Sequence, residues 1–277
     1  MRSPGEGTCL PERLLAPVLV ALLLAGCGHG HGTKATKATK VRWGEQVAQQ
    51  YDVHDDRQVR TRMRYQEVFR LAADRYSRGE LDAAFGYARS AQKLDPADPA
   101  AYTLQAVIEG RRGNREAAGE LYRRAAELAP RQGDVLNNYG AWLCANGHPA
   151  EALVWFDRAL GDAGYDARAD ALANAGGCAL EAGQRERAEQ NLRQALALAP
   201  GNPYALESMA RNELLHGRYF EARAFYQRRL AAAPATASVL QLAIQIEERL
   251  GDRGAASRYQ QRLREEFPAG ATSNSQG

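Results

Sequence analysis

The chain has 277 residues, of which 25% are charged and 8% are aromatic, and its formal net charge is +3. This composition is typical of a helix-rich globular protein, and the absence of a run of about 18 apolar residues excludes a spanning helix. Residues 1–42 carry six Lys/Arg and two Asp/Glu, whereas the remainder carries 30 and 31, so the main part of the chain has no overall basic field for nucleic acid.

The N-terminus has the features of an export signal. Arg2 and Arg13 precede an apolar run, Leu14–Leu24, which is long enough for a signal peptide and too short to span a bilayer. The run ends Leu24-Ala25-Gly26-Cys27, which resembles a bacterial lipobox. The resemblance implies that residues 1–26 are removed and that Cys27 receives lipid (palmitate among its acyl chains). Gly28, in place of an aspartate, favours the periplasmic face of the outer membrane. An ordinary signal peptide with a chance cysteine is the alternative.

Residues 27–64 are predicted to form the lipidated N-terminus, a flexible tether and a lead-in. Residues 28–42 are low in complexity and lack apolar periodicity. Two interpretations of the basic cluster are open: its side chains are solvated as part of a linker, or they contact anionic lipid headgroups. The cluster consists of Lys34, Lys37, Lys40 and Arg42. The basic run that includes Arg57 and Arg64 is interpreted as the solvated first turn of the first helix.

From residue 65 onward the sequence repeats with a period of 34 residues and one two-residue insertion. Position 15 of each repeat is glycine and position 20 is alanine: Gly79, Gly113, Gly147, Gly183, Gly217 and Gly251; Ala84, Ala118, Ala152, Ala188, Ala222 and Ala256. Position 8 is alanine or glycine except at Ile244, and position 32 is proline except at Gly164. Each repeat therefore predicts two helices that approach closely, with a left-handed glycine between them and a proline after the second.

This pattern is the signature of tetratricopeptide (TPR) helix pairs. The predicted fold is all-α, a right-handed superhelical array of six TPR units (an α-solenoid) over residues 65–268, followed by a disordered tail at 271–277. The repeats are bounded at 65–98, 99–132, 133–166, 169–202, 203–236 and 237–270.

A TPR array binds an extended or helical segment of another protein along the concave face lined by its first helices. Positions 2, 5, 9 and 12 are expected to face this groove, although neighbouring helices could cover any single residue. The candidate binding residues are Phe69, Tyr76, Asn137, Tyr204, Glu207, Arg211 and Leu214.

Cys144 and Cys178 fall late in the first helices of two adjacent repeats. In an oxidising compartment such a pair predicts a disulfide across the repeat boundary. Two buried, reduced cysteines are the alternative, because the Cα separation could exceed about 7 Å.

The sequence offers no catalytic constellation, and we predict no enzyme activity, cofactor or small-molecule substrate. His54, His148 and His216 are scattered without a nucleophile or acidic partner at motif spacing. His29 and His31 lack the further ligands that a metal site needs, so no metal is predicted.

Residues 134–230 also resemble a particular family. The segments VLNNYGAWLCANG and ALANAGGCALEAG, with the two cysteines in them, are similar to the type IV pilus biogenesis/stability lipoproteins PilW and PilF. The resemblance implies an outer-membrane pilotin that binds the pilus secretin and promotes its localisation and multimerisation. A general periplasmic TPR scaffold for outer-membrane assembly or cell-wall enzymes is the alternative function.

Overall fold

The computed structural model describes residues 56–268, which lie in a compact unit spanning residues 54–277. The predicted signal peptide, Cys27, the tether and the 271–277 tail lie outside the described residues. The described chain is all-α and forms twelve helices: α1 (Arg57–Ser77), α2 (Leu81–Leu94), α3 (Pro99–Arg111), α4 (Arg115–Leu128), α5 (Gly133–Ala145), α6 (Pro149–Leu160), α7 (Arg168–Glu181), α8 (Arg185–Leu198), α9 (Pro203–Leu215), α10 (Tyr219–Ala232), α11 (Ala237–Leu250) and α12 (Arg253–Glu266).

Consecutive helices pack as six hairpins, and each hairpin packs on the next. The first helix of each hairpin also contacts the first helix of the following one. The described residues are therefore an array of TPR helix pairs, as the 34-residue period predicted. The basic run of the lead-in lies in the first helix, as predicted: α1 begins at Arg57, so residues 57–64 form two helical turns ahead of the first repeat.

The turn inside each hairpin depends on the repeated glycine. All six glycines at position 15 have φ between +72° and +85°, which is the left-handed region. An L-residue with a Cβ is strained there, whereas glycine adopts it freely. The predicted conformation is confirmed at every repeat.

Small residues set the distance between the paired helices. The six alanines at position 20 are buried, each at most 4% exposed. At Gly176, a Cβ would lie only 2.5 Å from Cγ of Leu192 on the partner helix, and at Gly140 it would lie 3.0 Å from the ring of Phe156. Side chains at these positions would push the two helices apart, as the sequence pattern predicted.

The loop between α6 and α7, next to the two-residue insertion, stabilises the start of the third repeat. The Asp162 carboxylate accepts hydrogen bonds from the backbone N–H groups of Gly133 and Gly164, both at 2.9 Å. These two bonds lower the pKa of Asp162. Tyr165 packs so closely on Gly133 that a Cβ there would lie 2.5 Å from its ring. The loop thus holds the start of α5 where the repeat lacks its proline.

Sequence reasoning missed a set of glutamates at position 11 of the first helices. Glu109, Glu213 and Glu247 are 6%, 4% and 1% exposed. Each accepts from arginine, Glu109 from Arg112 at 2.6 Å and Glu247 from Nε of Arg223 at 2.9 Å. The glutamates are buried and their arginine partners are partly exposed; these ion pairs stabilise the hairpins and, for Glu247, join α10 to α11.

Candidate protein-binding groove

The candidate site is the surface of the first helices α1, α3, α5, α7, α9 and α11. The predicted groove positions lie along the junctions between these neighbours. Asn174 donates a hydrogen bond to Oδ1 of Asn137 at 3.1 Å, which joins α7 to α5. Ser238 donates to Oε1 of Glu207 at 2.5 Å, which joins α11 to α9. One continuous helical surface therefore contains the predicted residues.

In the first repeat the two predicted aromatic residues are half-buried. The Phe69 ring stacks on Tyr65 with 5.8 Å between centroids. The guanidinium of Arg111 on α3 lies 4.6 Å from the centre of the Tyr76 ring. Neighbouring side chains thus cover part of both rings, so each ring is only partly accessible to a ligand.

The middle of the surface is crossed by a disulfide. Cys144 of α5 and Cys178 of α7 are bonded, with 5.9 Å between their Cα atoms. That separation lies within the range that a disulfide requires. The bond links two adjacent first helices directly, so the shape of the surface is fixed covalently at the third and fourth repeats.

The fifth repeat presents the most open part of the groove. Tyr204 is 47% exposed and Leu215 is 46% exposed, and Arg211 is exposed between them. At about 100° per residue these three side chains lie within about 40° of one another on α9. We refer to Tyr204, Arg211 and Leu215 as the α9 stripe. Leu215 was not among the predicted binding residues, because it is one residue beyond Leu214, the last of the four positions expected to face the groove.

A glycine of the preceding repeat holds Tyr204 in place. A Cβ on the buried Gly177 would lie 2.8 Å from Cζ of Tyr204, so the ring rests directly on the α7 backbone. Burial, followed by the negative charge of Glu181, raises the pKa of Tyr204. The hydroxyl lies against Gly177 and is hydrogen-bonded to Ser208, which fixes the ring on the array.

The other two predicted residues of α9 have structural partners. Glu207 is paired with Arg229, with 3.5 Å between Oε2 and Nε, in addition to its bond from Ser238. Leu214 packs against an apolar cluster that includes Tyr226 and Ile246. Arg211 also lies 4.0 Å from Oε1 of Glu207, but its side chain is exposed, so Tyr204 and Arg211 are the predicted residues of α9 that a ligand can reach.

The described residues contain no cluster of three or more His, Cys, Asp and Glu side chains that could hold a metal ion. Within residues 56–268 no helix is both long and apolar enough to cross a bilayer.

The geometry of the groove suits the binding of a polypeptide, since it offers apolar, cationic and hydrogen-bonding groups along one helical face.

These features define a TPR protein, and the tetratricopeptide repeat family model matches residues 169–202. The type IV pilus assembly protein PilF of Pseudomonas aeruginosa is 27% identical over 191 residues, which cover 69% of this chain and 76% of PilF. The crystal structure of PilW, a widely conserved type IV pilus biogenesis factor, matches with a TM-score of 0.69 and 29% identity, covering 76% of this chain and 97% of PilW.

A structure of Pseudomonas aeruginosa PilF matches with a TM-score of 0.67 and 25% identity over 77% of this chain and 97% of PilF. The chain is a TPR protein that is similar to type IV pilus biogenesis proteins, as its own segments suggested. These relatives are assembly proteins rather than enzymes, which agrees with the prediction of a binding protein.

Proposed function

We propose that this chain is an outer-membrane pilotin of the type IV pilus machinery. In this proposal Cys27 carries the lipid anchor, and the groove binds a segment of the secretin and promotes its outer-membrane localisation and multimerisation. The similarity to PilF and PilW over most of the array is the observation that carries the proposal. It favours a pilus-assembly role over the general periplasmic scaffold.

The α9 stripe supplies the chemistry for polypeptide binding. Tyr204 offers a large, rigid ring, Leu215 offers apolar contact and Arg211 offers a cation. Tyrosine and arginine are the residues that most often dominate binding energy at protein interfaces. Because Gly177 and the disulfide fix the surface before binding, the groove loses little conformational entropy when the partner docks.

The lipid anchor and the groove would act together. An acylated Cys27 confines the array to the membrane, and the groove brings the secretin subunit to the same plane. Confinement raises the local concentration of the bound subunit, so assembly is favoured without additional contacts.

We expect Tyr204→Ala to weaken secretin binding by about tenfold or more, since the change removes a preorganised aromatic anchor. Gly177→Ala is expected to weaken it as well, because the new Cβ displaces the Tyr204 ring. The measurement is titration of the purified chain with the secretin by calorimetry or surface binding.

Leu198→Ala and Phe220→Ala are the matched controls. These residues are 60% and 73% exposed, but they lie on the second helices α8 and α10. Wild-type affinity is expected for both. If the control variants lose as much affinity as Tyr204→Ala, the groove assignment is wrong; if the wild-type chain binds no secretin, the pilotin proposal fails.

A further inference from the structure

The first two turns of α1 form a patch that the groove does not use. Val59 and Met63 are 50% and 62% exposed, which is unusual for apolar side chains at the end of a repeat array. The last described helix, α12, is different: among the described residues, none of the exposed large hydrophobic side chains lies on it.

Arginines surround these two apolar side chains. At about 100° per residue, Val59 and Met63 lie about 40° apart on the helix surface, with Arg62 about 60° to one side and Arg60 about 60° to the other. Arg64 follows one turn beyond Arg60. We refer to Val59, Arg60, Arg62, Met63 and Arg64 as the cationic patch. Arg62 and Arg64 form no ion pair with any described residue and are exposed.

Arg60, the arginine of the patch that lies in the first turn of α1, is unfavourable for the helix itself. The N-terminal end of a helix carries partial positive charge, so cations there are destabilising. Seven of the other eleven helices have an acidic residue in the first turn, whereas α1 has none beyond its N-cap, Asp56. The helix dipole therefore gives no reason for an arginine in the first turn of α1.

The patch also concentrates the positive charge of the described chain. Residues 57–64 contain four arginines and no acidic residue, whereas residues 65–268 contain 26 Lys/Arg and 27 Asp/Glu. An anionic partner would be attracted to this end of the array, because the rest of the array is nearly neutral.

We propose that the cationic patch docks on an anionic phospholipid surface. An apolar centre flanked by arginines matches the boundary of a bilayer, where Val59 and Met63 enter the acyl region and the guanidinium groups contact phosphates. Two helical turns are too small for a stable protein–protein interface, which buries about 1,200 Å² or more.

A weak contact of this kind suffices beside a lipid anchor. This step rests on the proposed acylation of Cys27, which is separated from Arg57 by 29 residues in the sequence. Stable membrane attachment commonly combines an acyl chain with a second, electrostatic signal. Docking of α1 would orient the array on the membrane and leave the α9 stripe, four repeats further on, available to the secretin.

The test uses the compact unit of residues 54–277, which contains all twelve described helices and lacks the anchor and the basic tether. It is sedimented with vesicles of phosphatidylglycerol and phosphatidylethanolamine, and with vesicles of phosphatidylcholine and phosphatidylethanolamine. We expect binding to the anionic vesicles only. Arg62→Gln with Arg64→Gln should weaken it about thirtyfold, because each arginine near an anionic surface contributes to attraction.

Two matched double variants complete the experiment. Arg258→Gln with Arg264→Gln removes the same charge from α12 and should retain binding. Val59→Gln with Met63→Gln should weaken binding even at high salt, whereas Val154→Gln with Leu198→Gln, at residues 50% and 60% exposed elsewhere, should not.

Equal losses in the two arginine variants, or no binding of the wild-type unit to anionic vesicles, would overturn the proposal. So would arginine-dependent capture by polyglutamate without vesicle binding, which would assign the patch to an acidic polypeptide. Circular dichroism verifies that each variant is folded. No secretin is present in this assay, so its failure is distinguishable from failure of the pilotin function.

Discussion

Replacing Glu247 with alanine is expected to reduce the free energy of unfolding by about 2 to 3 kcal/mol, because the change removes the buried acceptor shared by Arg223 and the Tyr226 hydroxyl. Glu247 is 1% exposed and accepts from both Arg223 and the hydroxyl of Tyr226. Burial, followed by the hydrogen bond to Glu247, raises the pKa of Tyr226. The alanine variant would leave a buried phenol without its acceptor.

Urea unfolding followed by circular dichroism measures this effect. Glu248→Ala is the matched control. Glu248 is next to Glu247 in the sequence but is exposed, so this substitution is expected to change the free energy of unfolding by less than about 0.5 kcal/mol. Glu247→Gln should fall between the two, because the amide oxygen still accepts from Tyr226 while the charge is lost. Equal stability of the Glu247→Ala and Glu248→Ala variants would show that the ion pair contributes nothing.

Reduction of the Cys144–Cys178 disulfide is expected to lower the free energy of unfolding by about 3 to 4 kcal/mol. The bond closes a loop with a sequence separation of 34, and a cross-link of that length restricts the unfolded chain by about this amount. The measurement is urea unfolding of the unit of residues 54–277 with and without a reducing agent.

The double variant Cys144→Ser with Cys178→Ser provides the control. It is expected to match the reduced wild-type unit and to show no response to the reducing agent. A wild-type unit whose unfolding midpoint is unchanged by reduction would contradict a stabilising role. A response in the double variant would show that the reagent acts elsewhere.

The helix pairs could be predicted from sequence because each repeat carries its own turn and packing signals. Glycine at position 15 and small residues at positions 8 and 20 act within one hairpin, so a linear pattern records them. The first two turns of α1 carry no such signal, and the sequence placed them outside the repeats. The buried Glu247 is paired with Arg223 of the preceding repeat, so no local spacing predicts their contact.

The groove was only partly predictable for a related reason. Helix periodicity gives the face on which a residue lies, but cover by a neighbouring helix depends on side chains from another repeat. Arg111 covers Tyr76, and Ser238 and Arg229 engage Glu207. Tyr204 instead remains open because it rests on a glycine, Gly177, and that match between two repeats is visible only in the structure.

The most direct test of the proposed pilotin function is the state of the secretin in cells. Membrane fractions are compared between the wild type, a strain lacking this protein and a strain with Cys27→Ala, under conditions that preserve the secretin multimer. We expect monomeric secretin to persist in both altered strains while the multimer is lost or mislocalised. An unchanged multimer in the strain that lacks the protein would contradict the account.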